Sequence, residues 1–199
     1  MKIAAVIVAA GYASRFDAGQ KLLADFNGLP LIRHAATAVS DAKVADAVLV
    51  VGPDGDDVVA AAGDGPWRIV INSDPSAGLS SSIRAGVAAL DATIDGALIV
   101  LGDMPFVTTA TISQLCATFS ASDGQRIVFP VTVDGRQSNP VLWPRALLPA
   151  LLQITGDSGG KALLADNAHR LAPVTIDDEA ASLDIDTKDD LARAMNLRR

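Results

Sequence analysis

The chemistry of this chain centres on a loop near the N-terminus that carries glycines and two cations. It reads A-A-G-Y-A-S-R-F-D-A-G-Q-K over residues 9–21. Gly11 and Gly19 permit tight turns whose exposed N–H groups can surround a phosphate. Arg15 offers a planar fork of donors and Lys21 a point charge, and this pair suits a polyphosphate. The spacing matches neither the dinucleotide fingerprint nor the P-loop, and a solvated loop with two unrelated cations is the alternative.

A carboxylate behind an apolar run forms the second candidate feature. Asp103 lies in L-G-D-M-P (101–105), where its carboxylate could face the crevice beyond the sheet. In-line displacement at phosphorus needs positioning, a divalent metal and cations near the negative charge, but no covalent nucleophile. Magnesium takes one or two carboxylates together with phosphates and waters, so a magnesium site at Asp103 would need a second carboxylate from elsewhere. A turn aspartate ahead of a proline is the alternative.

The elements that must position these residues alternate between strands and helices. Continuous apolar runs predict strands buried on both faces at 3–10, 46–52, 67–72 and 96–102, and strand-like segments follow at 126–133 and 140–144. Helical periodicity predicts helices at 30–39, 56–63, 81–92, 108–119, 145–153, 159–167 and 187–196. The alternation predicts an α/β fold: a single Rossmann-like three-layer domain over residues 1–199 with a mostly parallel sheet. Ligands of such sheets bind beyond the carboxyl ends of the strands, which selects residues 11–21, 73–82 and 102–106.

Composition argues against several classes of function. The 199 residues are 50% hydrophobic and 20% charged, as in ordinary globular proteins, and the net charge of −7 argues against nucleic-acid binding. The single cysteine, Cys116, allows no intramolecular disulfide, and the two histidines are too few for a histidine-based metal centre.

No apolar run approaches the ~20 residues of a membrane span. Lys2 and the apolar run behind it resemble a short signal peptide, but the glycine loop that follows favours a buried first strand. We therefore expect a cytoplasmic protein.

Taken in order, these segments resemble the nucleotidyltransferase superfamily of sugar-nucleotide and cytidylyltransferase enzymes. The strand ending in A-A-G, the following S-R, the lysine before L-L and the later G-D-M-P are similar to motifs shared by that superfamily. The narrower resemblance, to the molybdenum cofactor cytidylyltransferases, comes from S-D-P-S-A-G-L-S-S-S-I-R-A-G (73–86), N-P-V-L-W (139–143), G-D-S-G-G-K (156–161) and D-I-D-T-K-D-D-L (184–191). It covers nearly the whole chain. It implies a magnesium-dependent transfer of CMP from CTP to the terminal phosphate of molybdopterin, with release of pyrophosphate.

The resemblance also implies roles for individual residues. The implied catalytic residues are Arg15, Lys21 and Asp103. Asp103 and Asp186 are the implied ligands of Mg²⁺, with Asp184 and Asp189 as rivals for the second position. The implied nucleotide contacts are Ala9, Ala10, Gly11, Gly78 and Ser82, and the implied contacts to the acceptor are Asn139 and Lys161.

Simple structural roles compete with some of these assignments. Asp186 or Thr187 could cap the last helix, and we expect at least one of the serines at 80–82 to cap the helix that follows Gly78. The segment G-D-S-G-G (156–160) fits the hydrolase elbow G-x-S-x-G. That elbow requires a strand before the serine, whereas the preceding residues have a helical pattern. We therefore expect a helix cap by Asp157 or Ser158 there, and no hydrolase.

Departures from the family pattern bear on the nucleotide and on the acceptor. Related guanylyltransferases usually carry A-G-G where this chain has A-A-G at 9–11, which favours the cytidyl branch. The family often has Met-Gly after the first arginine, where this chain has F-D-A-G (16–19). A histidine is common where this chain has Asn139, so the acceptor could differ. The alternatives are a guanylyltransferase, a sugar- or alcohol-phosphate nucleotidyltransferase, or a non-catalytic chaperone that delivers the cofactor to a molybdoenzyme.

Overall fold

In the computed structural model, which describes residues 1–11, 16, 21–157, 159–177, 180 and 183–197, helices cover both faces of a seven-stranded sheet. The strands are β1 (Ile3–Ala9), β2 (Asp25–Phe26), β3 (Leu29–Pro30), β4 (Asp46–Val51), β5 (Trp67–Ile71), β6 (Gly96–Leu101), β7 (Ile127–Thr132), β8 (Val141–Pro144) and β9 (Leu171–Ile176). The α-helices are α1 (Leu31–Asp41), α2 (Asp56–Ala62), α3 (Leu79–Ala88), α4 (Thr109–Ala121), α5 (Leu148–Leu151), α6 (Lys161–Asp166) and α7 (Lys188–Asn196). Short 3-10 turns lie at Lys21–Leu23, Pro75–Ala77, Arg145–Leu147 and Ala168–Arg170.

The sheet has the strand order β5-β4-β1-β6-β8-β7-β9. All neighbours are parallel except β8, which runs antiparallel to both β6 and β7. β2 and β3 form a separate antiparallel pair. The predicted α/β fold with a mostly parallel sheet is confirmed.

The central strands are buried on both faces, as their continuous apolar sequences predict. Every residue of β1 is buried, and alternate residues enter two different cores. Ala5 and Ile7 pack on the side covered by α1, α2 and α4. Val6 and Val8 pack on the side covered by α3, α5 and α6. This burial holds the carboxyl ends of β1 and β6 side by side.

The prediction of full burial is wrong for the strand at 67–72. Among the described strands β5 pairs with β4 alone and forms an edge of the sheet, and its residues Ile69 and Ile71 are 44% and 63% exposed. At the other edge, β9 was not predicted, because Pro173 lowers the strand propensity of its sequence; proline is tolerated on edge strands.

Helix boundaries differ most in the second half of the chain. The predicted helix at 145–153 is a 3-10 turn followed by the single turn α5. Pro149 has no backbone N–H, so it can stand in the first turn of a helix but cannot continue one from Arg145. No α-helix among the described residues has both the length and the apolar character to cross a membrane.

A third, smaller core brings the C-terminal segment to the carboxyl edge of the sheet. Its buried members are Phe16, Phe26, Leu31, Phe106, Ile176, Ile185 and Ala194. They connect the segment before α7 and α7 itself to the β2–β3 pair and to the loop after β6. The residues near 186 therefore lie beside those near 103.

Candidate nucleotide and metal site

Three charged residues from distant parts of the chain meet beyond the carboxyl ends of β1 and β6. Lys21 Nζ lies 2.7 Å from Asp103 Oδ2 and 2.8 Å from Asp186 Oδ1. Lys21 opens the 3-10 turn after the first loop, Asp103 is the second residue after β6, and Asp186 lies two residues before α7. The structure thus brings together a predicted catalytic lysine and both predicted metal ligands.

The lysine is the most buried member of this cluster. The side chains of Lys21, Asp103 and Asp186 are 12%, 22% and 52% exposed. Burial by itself lowers the pKa of Lys21, but the charges of the two carboxylates and the hydrogen bonds to them exceed this effect and hold the pKa above its ordinary value. Lys21 is therefore an ammonium at neutral pH.

The rival carboxylates take no part in this ion pair. Asp184 lies close enough for its pKa to be raised, first by burial and then by the negative charges of Asp186 and Asp103. Asp189 lies in the first turn of α7. Of the three candidates for the second position, it is Asp186 that contacts Lys21.

Backbone contacts place Asp186 at the cluster. The Ile185 N–H donates to the Asp103 carbonyl oxygen at 3.2 Å, and the Ile185 side chain is buried in the third core. Thr187 caps α7: its Oγ1 accepts from the Asp190 N–H at 3.1 Å, and its own N–H donates to Asp190 Oδ2 at 2.9 Å. The capping role that competed for Asp186 therefore belongs to Thr187, and the carboxylate of Asp186 turns to Lys21.

The carboxylates suit a divalent cation. Asp103 Oδ1 is buried and has no hydrogen-bond partner among the described residues, and an unpaired buried oxygen is costly unless a donor or cation meets it. Asp103 and Asp186 could supply the protein ligands. No group of three or more potential metal ligands occurs in the described part of the chain, so phosphates and waters would complete the coordination, as magnesium prefers.

The loop before α3 has a backbone conformation that only glycine adopts easily. Gly78 has φ +88° and ψ 179°. A side chain at Gly78 would collide with the Asp157 carboxylate and the Gly156 backbone. Gly78 is also the N-cap of α3, and no side chain caps this helix, so the predicted cap by one of the serines at 80–82 is wrong.

The other predicted nucleotide contacts follow β1. Ala9 is the last residue of β1, Ala10 is buried beside it, and Gly11 is exposed. Arg15 lies outside the described residues, as do residues 17–20.

A buried asparagine that the sequence analysis missed connects the end of β5 to the first turn of α3. Asn72 directly follows β5, and its Nδ2 donates to Ser81 Oγ at 2.7 Å and to Ser82 Oγ at 3.0 Å. Ser82, a predicted nucleotide contact, is only 2% exposed. The available signal was an asparagine directly behind a strand at the carboxyl edge.

The two predicted acceptor residues lie on different elements. β8 runs antiparallel to β6, with Val141 opposite Ile99, so β8 begins in the carboxyl half of β6, and Asn139 lies two residues before β8. Lys161 is the exposed first residue of α6.

The segment resembling a hydrolase elbow has no strand before it. α5 and a turn precede it, and Ser158 itself lies outside the described residues. Gly160 is the N-cap of α6 and no side chain caps that helix, so the predicted cap by Asp157 is wrong.

Comparison with known proteins identifies a family for this chain. A family model described as the MobA-like NTP transferase domain matches residues 5–173. The chain is 28% identical to the nicotine blue oxidoreductase of Paenarthrobacter nicotinovorans, over 97% of this chain and 96% of that protein. It is also 28% identical to the molybdenum cofactor guanylyltransferase of Cupriavidus metallidurans, over 95% and 92%. By contrast, the chain spans only 28% of the bifunctional protein GlmU of Sphingopyxis alaskensis, which it also matches.

Solved structures share the fold. Rv0371c of Mycobacterium tuberculosis has a TM-score of 0.86 at 24% identity, over 98% of both chains. Its complex with manganese has a TM-score of 0.82. A nucleotidyl transferase from Methanothermobacter has a TM-score of 0.81 at 25% identity, again over 98% of both chains.

Proposed function

The chain belongs to the MobA-like NTP transferase family, and we propose that it transfers CMP from CTP to the terminal phosphate of a molybdopterin-type acceptor, releasing pyrophosphate. It would do so as a single domain over residues 1–199. The observation that carries the proposal is the meeting of Lys21, Asp103 and Asp186 at the carboxyl edge of a parallel sheet, where such folds bind ligands.

Each member of the cluster has a task in this reaction. Asp103 and Asp186 would hold Mg²⁺, which when bound neutralises phosphate charge and polarises the phosphoryl oxygens. The ammonium of Lys21, together with Arg15, would bind the triphosphate and stabilise the negative charge that gathers on the departing pyrophosphate. An oxygen of the acceptor's phosphate attacks the α-phosphorus, and the bond from that phosphorus to the bridging oxygen of the β-phosphate breaks.

The nucleoside would lie between the end of β1 and the start of α3. Ala9, Ala10 and Gly11 would contact it on one side, and Gly78 and Ser82 on the other. The sequence A-A-G at 9–11 supports cytidine, whereas the curated relative from Cupriavidus is a guanylyltransferase. GMP transfer is therefore the alternative that the test must separate.

The acceptor would bind near Asn139 and Lys161. This placement is supported by the position of Asn139 two residues before β8, which begins opposite the carboxyl half of β6. Lys161 would approach the acceptor's phosphate as a second cation. A molybdoenzyme would then receive the finished cofactor, and a chaperone that delivers the cofactor without catalysis is the competing role.

The test is pyrophosphate release from each of the four nucleoside triphosphates with Mg²⁺, with and without purified molybdopterin cofactor. We expect release with CTP that depends on the cofactor and stops when EDTA removes the metal. Asp103→Asn should lower the rate by a factor on the order of 1,000 while the circular dichroism spectrum is unchanged. Release with GTP instead of CTP would favour the guanylyl alternative.

A second assay tests for an oxidoreductase activity. The oxidoreductase relative matches over 97% of this chain, so the same preparation should be tested for reduction of a dye by NADH or NADPH. Dye reduction without pyrophosphate release from any nucleotide would contradict the proposal, and so would tight cofactor binding without turnover.

A further inference from the structure

We propose that Asn72 is a positioning residue of the nucleotide site, which holds Gly78 and Ser82 in place through the first turn of α3. The inference rests on the proposed function, because it takes Gly78 and Ser82 as contacts of the nucleotide. The side-chain amide of Asn72 is engaged with Ser81, Ser82 and Asp74, so Asn72 would act through these residues and not by touching the ligand itself.

The amide of Asn72 uses both its donors and its acceptor. Its Nδ2 donates to Ser81 Oγ and Ser82 Oγ, while its Oδ1 accepts from the Asp74 N–H at 3.1 Å. Its backbone N–H donates to the carbonyl oxygen of Val51, at the end of β4, at 2.8 Å. Asn72 thereby ties the first turn of α3 to the carboxyl ends of two strands. Aspartate has the same shape but no donor, so it cannot replace this pattern.

The contact with Ser81 continues to Gly78. Ser81 Oγ donates to the Gly78 carbonyl oxygen at 2.8 Å, and the Ser81 N–H donates to the same oxygen at 3.0 Å. Because the oxygen of Ser81 accepts from Asn72, its proton is directed to Gly78. The amide therefore sets the position of the backbone that would meet the base.

The contact with Ser82 determines which hydrogen-bonding role its hydroxyl can play. Ser82 Oγ accepts from Asn72, and no described residue accepts the proton of Ser82. The hydroxyl is thus oriented as a donor, and an acceptor atom on the nucleoside, such as a base carbonyl or a ribose oxygen, would complete the bond. Loss of Asn72 would free both serine hydroxyls to rotate, so we expect weaker and less selective nucleotide binding.

The test compares variants by their dissociation constants for CTP and GTP with Mg²⁺, measured by calorimetry at a temperature where every variant is folded. Asn72→Ala and Asn72→Asp should raise the constant for the preferred nucleotide about 10- to 50-fold, as expected for loss of one or two ordered hydrogen bonds. The ratio of the two constants should move toward one. The kcat should fall less than kcat/KM, because Lys21 and Asp103 are untouched.

Two controls separate positioning from stability. Asn167→Ala removes another hydrogen bond of a side-chain amide, from Nδ2 of the C-cap of α6 to the Leu163 carbonyl oxygen, and should lower Tm without changing either dissociation constant more than about twofold. Ser82→Ala tests whether Asn72 acts through Ser82. In a protein that already carries Ser82→Ala, the further change Asn72→Ala should weaken nucleotide binding by a smaller factor than it does in the wild type.

The outcomes are distinct. If the wild type binds nucleotide and the Asn72 variants have the same dissociation constants and the same selectivity between CTP and GTP, this inference alone is overturned. Asn72 is then a structural residue. A wild-type protein that binds no nucleoside triphosphate would overturn the proposed function, and the inference with it.

Discussion

Replacing Lys21 with methionine should have opposite effects on metal and nucleotide binding. Lys21 Nζ occupies one oxygen of each proposed metal ligand, at 2.7 Å from Asp103 and 2.8 Å from Asp186. A divalent cation held by both carboxylates would compete with the ammonium for their negative charge, and an ammonium that it displaces becomes available to the triphosphate. Lys21→Met removes the competitor and, with it, the phosphate ligand.

The burial of the three side chains sets the size of both effects. Exposed ion pairs contribute about 0.2–1 kcal/mol, whereas removing one partner of a buried pair costs about 3–5 kcal/mol. The free energy of the contact with Asp103 should lie between these limits. That of the contact with Asp186, whose side chain is 52% exposed, should lie near the lower limit. Releasing both carboxylates should therefore contribute about 1–2 kcal/mol, which makes Mn²⁺ binding about 5- to 30-fold tighter. Charge-assisted bonds to phosphate contribute about 1.5–3 kcal/mol, so nucleotide binding should weaken about 10- to 150-fold.

The assay follows free Mn²⁺ by electron paramagnetic resonance without nucleotide, and then nucleotide binding at saturating Mn²⁺. Lys2→Met is the matched control: it makes the same change of charge at the amino end of β1, where Lys2 Nζ lies 3.4 Å from Thr93 Oγ1. If Lys21→Met binds Mn²⁺ no more tightly than this control does, then the lysine does not compete with the metal and the reasoning is refuted.

Three further predictions concern stability and reactivity. Thr187→Ala removes the cap of α7 and should lower the free energy of unfolding by about 1 kcal/mol in urea titrations, whereas Thr187→Ser should not; equal losses would contradict the capping role. Gly78→Ala should cost about 1–3 kcal/mol because of its backbone conformation and the nearby Asp157 carboxylate. Gly135 has φ +83° but open space around it, so Gly135→Ala should lower Tm less than Gly78→Ala does. A larger decrease for Gly135→Ala would contradict the steric argument. Burial raises the pKa of Cys116 and keeps its thiolate scarce, so iodoacetamide should label the folded protein at pH 8 far more slowly than the urea-unfolded chain, as mass spectrometry would show; equal rates would argue against burial.

Lys21 and Asp103 could be selected from the sequence because each stands next to a strongly patterned element. Lys21 ends a loop rich in small residues, and Asp103 directly follows a buried strand. Asp186 was chosen over Asp184 and Asp189 only through a family resemblance, because three carboxylates within six residues have no local feature that separates them. Asn72 was missed because an asparagine behind a strand is equally typical of an ordinary turn.

The amino-acid sequence by itself determined the α/β architecture and the edge of the sheet at which to look for a ligand. Burial on both faces demands continuous apolar runs, and this requirement is local, so it can be read along the chain. Only the tertiary structure decided which carboxylate meets Lys21 and which hydroxyls meet Asn72. These contacts depend on the path that the C-terminal segment takes when Ile185 packs near Phe106, and on the direction in which the first turn of α3 points. Such geometry arises from packing between residues far apart in sequence, which no local pattern encodes.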